Sequence, residues 1–417
     1  MNKVIVIGGG ISGLYSSYYL LKEGFEVILI DKGDLTGGAS NINAGYTTPS
    51  HIISLASPGV ISKGLKWMWD SSSPFYIKPR LDFQFLDWAW KFKKSANKNK
   101  VEQSIPVLKA LSVTSQNLNE ELRSSINFTS HYEKKGLLNV FKTQKAANEE
   151  LKKAERVKLE SLELEVLSKN QVLQLQPGLS NDIIGGVHYI CDSHSTPDDF
   201  IVKFKQWLIE HGVIFHLNEA VEEIYSNNGK ISEVKTNKDN YYADFFVIAA
   251  GTWTQQLTRQ IGLKVPLQGG KGYSLDVYRD LGINLPTILT ESKVAVTPMD
   301  GFTRFSGTME FSGNNSFIRK NRISAIANAA RMYYKDVHIT EEEMANARSG
   351  LRPVSPDGLP YIGKTSKYSN MVIAAGHAMI GWSLGPVTGK LVSEILAKKP
   401  LSINISPLSP ERFNFIL

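Results

Sequence analysis

The first thirty-one residues, MNKVIVIGGGISGLYSSYYLLKEGFEVILID, constrain this chain more than any other stretch. Val4-Ile5-Val6-Ile7 is an apolar run without a turn residue, the pattern of a strand covered on both faces. Gly8-x-Gly10-x-x-Gly13 follows at once, and a helical spacing of Leu14, Tyr18 and Leu21 continues to Gly24. Residues 25–30 read as a second strand with Asp31 at its end. Gly8 permits the tight turn, Gly10 lets backbone approach a pyrophosphate, and Gly13 lets helix and strand pack closely. The helix start at Ile11 and Ser12 offers N–H groups to phosphates. Asp31 can accept hydrogen bonds from ribose hydroxyls. All these parts at the required spacing predict a dinucleotide site rather than an ordinary βαβ turn.

Composition sets outer limits. At 417 residues the chain is long enough for two domains, and 42% hydrophobic with 21% charged residues is ordinary for a globular protein. Cys191 is the single cysteine, which excludes an internal disulfide and a cysteine-based metal cluster. It reads as a buried inert thiol, and no metal site is expected. The first strand begins so early that no secretory leader is expected, and no apolar run approaches the roughly 18 residues of a membrane span. The net charge of +7 is spread over scattered lysines, with no nucleic-acid module. A cytoplasmic location is expected, with peripheral contact to the inner face of the plasma membrane left open.

Along the chain, the small-residue loop from Gly37 to Gly45 suits backbone lying against a ligand. Residues 51–95 interleave Trp67, Trp69, Trp88, Trp90 and several phenylalanines with lysines. The preferred reading covers the second domain with the aromatics and turns the lysines to water; a lipid- or partner-facing surface is the alternative. Helices are expected over 101–126, 144–160 (charged and solvated), 198–211, 320–334, 341–348 and from Gly381 to about 397. Residues 213–217 and 245–249 read as further parallel strands, 220–243 as a meander turning at Asn228-Gly229, and 265–312 as a mixed or antiparallel sheet. Met371 to Ala375 is a last buried strand.

The early glycine turn, Ala250-Gly251-Thr252-Trp253, Gly350-Leu351-Arg352-Pro353 with Pro356-Asp357-Gly358, and Gly376-His377 with Gly381 together resemble the D-amino-acid oxidase (DAO) family of FAD enzymes. Asn43-Ala44-Gly45, Ala56-Ser57-Pro58-Gly59-Val60, Lys66-Trp67, Gly307-Thr308-Met309-Glu310 and Gly381-Trp382 are most like its bacterial D-amino-acid dehydrogenase branch. Ala378 departs from the pattern, which has a glycine there. The resemblance implies an α/β fold: a discontinuous Rossmann-like FAD-binding domain (1–50, 195–255 and 345–417) beside a mixed-sheet substrate domain (51–194 and 256–344). It implies non-covalent FAD, with Gly8 to Gly13 on the pyrophosphate, Asp31 and Lys32 on the adenosine ribose side, and Val221 on the adenine through its backbone. Ser40, Asn43, Ala44 and Gly45 would run beside the isoalloxazine. Ala250, Gly251 and Trp253 would complete the nucleotide cradle, and Gly376, His377, Met379, Ile380, Gly381, Trp382, Ser383 and Leu384 would reach the pyrimidine edge. A helix N-terminus aimed there would stabilise the anionic reduced flavin.

Arg352 is the expected clamp for a substrate carboxylate, since a guanidinium offers two parallel donors. His377, Tyr273 and His51 are expected at the catalytic centre, with Tyr46, Glu291 and Lys293 as weaker pocket candidates; Asp357 reads as ordering its turn. The implied activity is oxidation of a D-amino acid, D-proline and hydroxyproline included, by hydride transfer from Cα to flavin, with electrons passing to a quinone or carrier. A glycine- or sarcosine-type oxidase using oxygen, and a flavin-carrying subunit of a larger assembly, are the alternatives.

Overall fold

The structure, a computed structural model, describes residues 1–59 and 73–414. Val60, Lys63, Lys66, Trp67 and Trp69 of the aromatic, basic stretch lie outside the described residues.

The opening strand Lys3–Ile7 sits inside a six-stranded sheet, in the order Ile214–His216, Glu26–Ile30, Lys3–Ile7, Phe245–Ile248, Met371–Ala375, Tyr361–Lys364. The first five are mutually parallel and the last is antiparallel. Val4 and Val6 face one core, built with the helices Ile11–Lys22 and Gly381–Leu396. Ile5 and Ile7 face another, beneath the three-stranded meander Val221–Asn227, Lys230–Thr236, Asn240–Tyr241. Cover on both faces is why these strands read as unbroken apolar runs. Asn228 (φ 47°) and Gly229 (φ 71°) make the hairpin turn between the first two meander strands.

The second sheet has nine strands among the described residues, and Gln268–Val277 and Phe302–Phe311 are its long central pair. Its register is antiparallel except where Thr287–Leu289 meets Leu137–Phe141 and Phe75–Ile77 meets Phe302–Phe311. The helix Lys320–Tyr333 covers one face through Ile323 and Ile326.

Three expectations need correcting. Arg348–Val354 falls within the third segment expected for the FAD domain, yet it is hydrogen-bonded along Gln268–Val277 as the edge of the second sheet. Its end returns to the first domain, where the Ala378 N–H donates to the Pro353 carbonyl at 2.9 Å. The helix Gln144–Leu159, expected to be solvated, buries Ala146, Ala147, Ala154 and Val157 against Phe141 and Tyr189. Its small apolar stripe is masked in sequence by the charges around it. The helix Phe83–Ser95 is divided: Phe85, Trp88 and Phe92 are buried, while Phe83, Leu86 and Trp90, with Leu81 just before, face outward. The helix Glu341–Ala345, by contrast, opens with the capping box formed by Thr340 and Glu343, as its sequence requires.

Candidate active site

The glycine turn is built for a close backbone approach. A Cβ on Gly8 would stand 2.5 Å from the Ala249 carbonyl oxygen, and one on Gly13 would stand 1.8 Å from that of Gly8. Gly8 also has φ +106°, a conformation only glycine adopts without strain. The helix Ile11–Lys22 starts with neither a side-chain cap on Gly10 nor an acidic residue in its first turn, so its positive end is left for an anion. Ser40 Oγ lies over this end and accepts from the Ile11 N–H at 2.9 Å. The Asp31 carboxylate accepts from the N–H groups of Gly9 (2.6 Å) and Gly33 (2.7 Å), which ties the second strand to the turn. Beside it, Lys32 Nζ sits 3.1 Å from the Trp253 ring centroid, next to the Gly251–Trp253 turn. The Glu219 N–H donates to the Asp31 carbonyl, which brings Ala220 and Val221 to the same edge.

The loop carrying Ser40, Asn43, Ala44 and Gly45 lies between the two sheets. Asn43 orders it, donating to the Ser40 carbonyl and accepting from the Gly45 N–H, each at 2.6 Å. Arg304, fully buried, donates to the carbonyls of Asn41 (2.9 Å) and Asn43 (3.0 Å) and pairs with Asp276 (2.7 Å) and Asp198 (2.6 Å). Arg348 joins the same two carboxylates and the Asn41 side chain. This network fastens the loop to both domains.

Arg304, Arg348 and Arg352 project from one face of the second sheet, opposite Asp276, Ser274 and Gly270 in register. The first two are saturated by carboxylates. Arg352 is not: its only hydrogen bond among the described residues runs from Nη1 to the Thr308 carbonyl at 2.8 Å. It is half-buried, and without a compensating anion desolvation pulls its pKa down to about 10, so it stays charged at neutral pH. Gly272 clears the strand beneath it, Gly270 makes room for the Met309 side chain, and Gly350 clears room for Ile42 and Ala39 of the loop. Thr308 supplies its carbonyl from a register irregularity, with φ 71°. That backbone is strained for a β-branched residue.

The C-terminal helix Gly381–Leu396 also begins with no acidic residue in its first turn and no side-chain cap. Ser383 Oγ donates to the Tyr46 carbonyl and accepts from the Thr48 N–H, and Trp382 Nε1 donates to Ser195 Oγ at 3.0 Å. These bonds hold the helix start against the strand that follows the loop. Gly385 and Gly389 let this helix cross Ile11–Lys22 closely, since a Cβ on Gly389 would stand 2.4 Å from the Tyr15 backbone. Gly376 turns the chain at φ +82° against the Tyr361 ring; Met379 is exposed, whereas Leu384 is fully buried.

Several expected site residues are placed otherwise. Tyr273 projects, with Lys271, from the opposite face to Arg352, because strand side chains alternate. Its phenol donates to Glu310 at 2.7 Å, within a buried cluster that includes Lys271 and Arg322. His377 is buried with Nε2 2.9 Å from Thr388 Oγ1; the threonine proton goes to the Leu384 carbonyl, so His377 is the donor. Burial lowers its pKa to about 4, which keeps the ring neutral and makes it part of the helix packing rather than an acid. Glu291 accepts from the N–H groups of Lys142 and Thr143 and from the Tyr333 hydroxyl, at the start of the helix Gln144–Leu159 rather than in a pocket. The Tyr46 hydroxyl donates toward the carbonyls of Thr287 and Val296. Lys293 lies in a turn at φ 53°. His51 Nδ1 is 3.3 Å from Ser50 Oγ, which donates to Asp192 at 2.6 Å. Asp357 orders its turn through Leu359 N–H and a bidentate bond from Arg412. Burial and the adjacent Asp192 raise the Cys191 thiol well above its ordinary value, which disfavours the thiolate.

The roles of Gly270 and Gly272, Thr308, and Gly385 with Gly389 escaped the sequence reading. Glycines inside a strand signal close approach, and Gly-x-x-x-Gly on a helix signals close crossing. The Arg304–Asp276–Asp198–Arg348 network left no such signal, because its members come from four separate segments.

A glycine turn at a parallel sheet, two helix starts without acidic residues and an arginine without a carboxylate partner on a second sheet fit a nucleotide-binding enzyme of two domains. The FAD-dependent oxidoreductase (DAO) family model matches residues 3–395, so the chain belongs to that family and its cofactor is FAD. It is 27% identical to the D-amino acid dehydrogenase of Granulibacter bethesdensis, covering 99% of each chain. To that of Vibrio atlanticus it is 29% identical, covering 99% of this chain and 100% of the relative. In structure it is similar to glycine oxidase from Geobacillus kaustophilus (TM-score 0.79, 21% identity, 99% of each chain). It is also similar to L-proline dehydrogenase from P. horikoshii (TM-score 0.74, 18% identity, 99% of this chain and 98% of the other).

Proposed function

We propose that the chain is a dehydrogenase of D-amino acids, cyclic ones such as D-proline and hydroxyproline included. The observation that carries this reading is the half-buried Arg352 guanidinium, with no carboxylate partner among the described residues, on strand backbone left bare by Gly272. A substrate carboxylate supplies the missing anion, and two parallel N–H donors fix the orientation of its α-carbon. Gly8 to Gly13, Asp31, Lys32, Val221, Trp253 and the 40–45 loop hold FAD, which supplies the two-electron acceptor. Oxidation of the Cα–N bond gives an imino acid. Water hydrolyses it to a 2-oxo acid and ammonia, or it stays cyclic when the amine is secondary. A neutral amine needs no side-chain base, so catalysis here is mainly positioning. The curated relatives' names support the D-amino-acid class.

Electrons leave for a quinone or carrier protein. No helix among the described residues is long and apolar enough to cross a membrane. The outward Leu81, Phe83, Leu86 and Trp90, with Lys93 and Lys94 in the last helical turn, support peripheral contact with the membrane in which a quinone resides. The testing experiment is an anaerobic flavin-bleaching screen with both enantiomers of each amino acid, proline, hydroxyproline, glycine and sarcosine. Bleaching by D-enantiomers supports the proposal. Bleaching by glycine or sarcosine alone, with peroxide formed in air, replaces it with an oxidase. Yellow protein reduced by none of them indicates a flavin-carrying subunit.

A further inference from the structure

Beside the 40–45 loop, a small antiparallel sheet joins Tyr46–Thr47, Ser193–Ser195 and Tyr132–Glu133. Glu133 lies directly opposite His194 in register, and His131 comes two residues before Glu133. Alternation along a strand sends His131 and Glu133 to the same side, where His194 meets them. One ligand atom from each lies within 4.8 Å of the others: His194 Nε2 is 3.3 Å and His131 Nε2 4.0 Å from Glu133 Oε2. A tetrahedral Zn²⁺ ion with bonds of about 2.0–2.1 Å needs its ligand atoms about 3.3 Å apart, so only small side-chain shifts are required.

We propose that His131, Glu133 and His194 form a site for one divalent transition-metal ion of the zinc class. The His194 imidazole is fully buried, with Nε2 facing the Glu133 carboxylate at 3.3 Å and the Pro298 backbone beside the ring, and neither nitrogen has a well-formed hydrogen bond. A buried ring without well-formed hydrogen bonds is costly, and a metal ion shared by Nε2 and the facing carboxylate removes part of that cost. His131 is already oriented: its Nδ1 is 2.9 Å from Thr196 Oγ1, which accepts from the Asp300 N–H at 2.8 Å. That bond leaves Nε2 as the free ligand atom, the arrangement that metal-binding histidines use. Glu133 is partly exposed and bound to Lys135 at 2.9 Å, so the carboxylate exchanges a surface ammonium for the ion, and entry is from its side. Two imidazoles and a carboxylate suit Zn²⁺, Co²⁺ or Ni²⁺ over Mg²⁺ or Ca²⁺, and leave a fourth position to water. The ion would brace a strand that touches the flavin loop, since His194 pairs with Tyr46 and the Ser195 N–H donates to the Gly45 carbonyl.

The test titrates ZnCl₂, and separately CoCl₂, into chelator-treated, FAD-loaded enzyme by calorimetry, with the thermal midpoint as a second readout. Saturation at a single equivalent with a higher midpoint is expected. Glu133→Gln and His131→Gln, both at partly exposed positions that leave the core intact, should weaken binding about tenfold or more and abolish the rise in midpoint. No saturable binding, or equal binding by the Glu133→Gln protein, overturns the assignment.

Discussion

A methyl group on Gly272 would stand 2.1 Å from Nη1 of Arg352 and 2.5 Å from its Cζ. The guanidinium therefore lies flat on strand backbone that only glycine leaves bare. Gly272→Ala should displace the clamp while keeping its charge. The expected result is a substrate KM raised about tenfold or more, with a normal flavin spectrum; about 1.4 kcal/mol corresponds to that factor. Arg352→Leu should give at least the same loss and also remain yellow. Steady-state kinetics beside the visible spectrum check both, and an unchanged KM in the Arg352→Leu protein would remove the arginine from substrate binding.

Ala378 occupies a position with φ 48°, and it is buried. The left-handed conformation costs a non-glycine residue about 1–2 kcal/mol, partly offset by the greater freedom of glycine in the unfolded chain. Ala378→Gly should therefore stabilise the protein by roughly 1 kcal/mol. A urea or thermal unfolding comparison checks this, and a destabilised variant would show that the methyl packing outweighs the backbone strain.

Gly389 lets two helices meet whose starts are both proposed to face the cofactor. Its Cβ position is 2.4 Å from the Tyr15 carbonyl oxygen and 2.8 Å from Ser16 N, and rigid backbone cannot yield as a side chain does. Gly389→Ala should cost about 1–3 kcal/mol in stability and lower FAD retention. Equilibrium dialysis of flavin gives the second readout.

Burial raises the pKa of Asp192 to about 7, despite hydrogen bonds from Ser50 N–H and hydroxyl that oppose the shift. A carboxyl raised in the folded state stabilises it fully below the ordinary value near 4. That contribution is lost as pH rises through about 7, and amounts to a few kcal/mol at most. His377 has the opposite sign: its folded pKa of about 4 lies below the ordinary histidine value, so its contribution is present above about 6.5 and fades as pH falls through 4. Comparing wild type with Asp192→Asn isolates the carboxyl. The difference in unfolding free energy should change steadily between pH 4 and 7 and level off above, and a flat difference would contradict it.

Local rules carried the sequence reading a long way. The glycine turn with its flanking strands and helix, the Asn228-Gly229 hairpin, the Thr340–Glu343 capping box and the Asp357 turn each depend on neighbours a few residues apart. Backbone sterics and short-range hydrogen bonds are encoded at that range, so these elements could be read from residue order alone. What lies on which face, and against which distant partner, could not. Tyr273 and Arg352 both belong to strands of one sheet, yet strand registers between segments 80 residues apart put one against the helix Lys320–Tyr333 and the other toward the FAD-binding domain. Arg304, Arg348 and Arg352 look alike in sequence; only the folded arrangement of Asp198 and Asp276 neutralises two and leaves the third without a carboxylate among the described residues. His131, Glu133 and His194 likewise become a group only when two short strands pair. Charge pairing and ligand geometry act through space, and the chain fixes them only once its sheets have closed on each other.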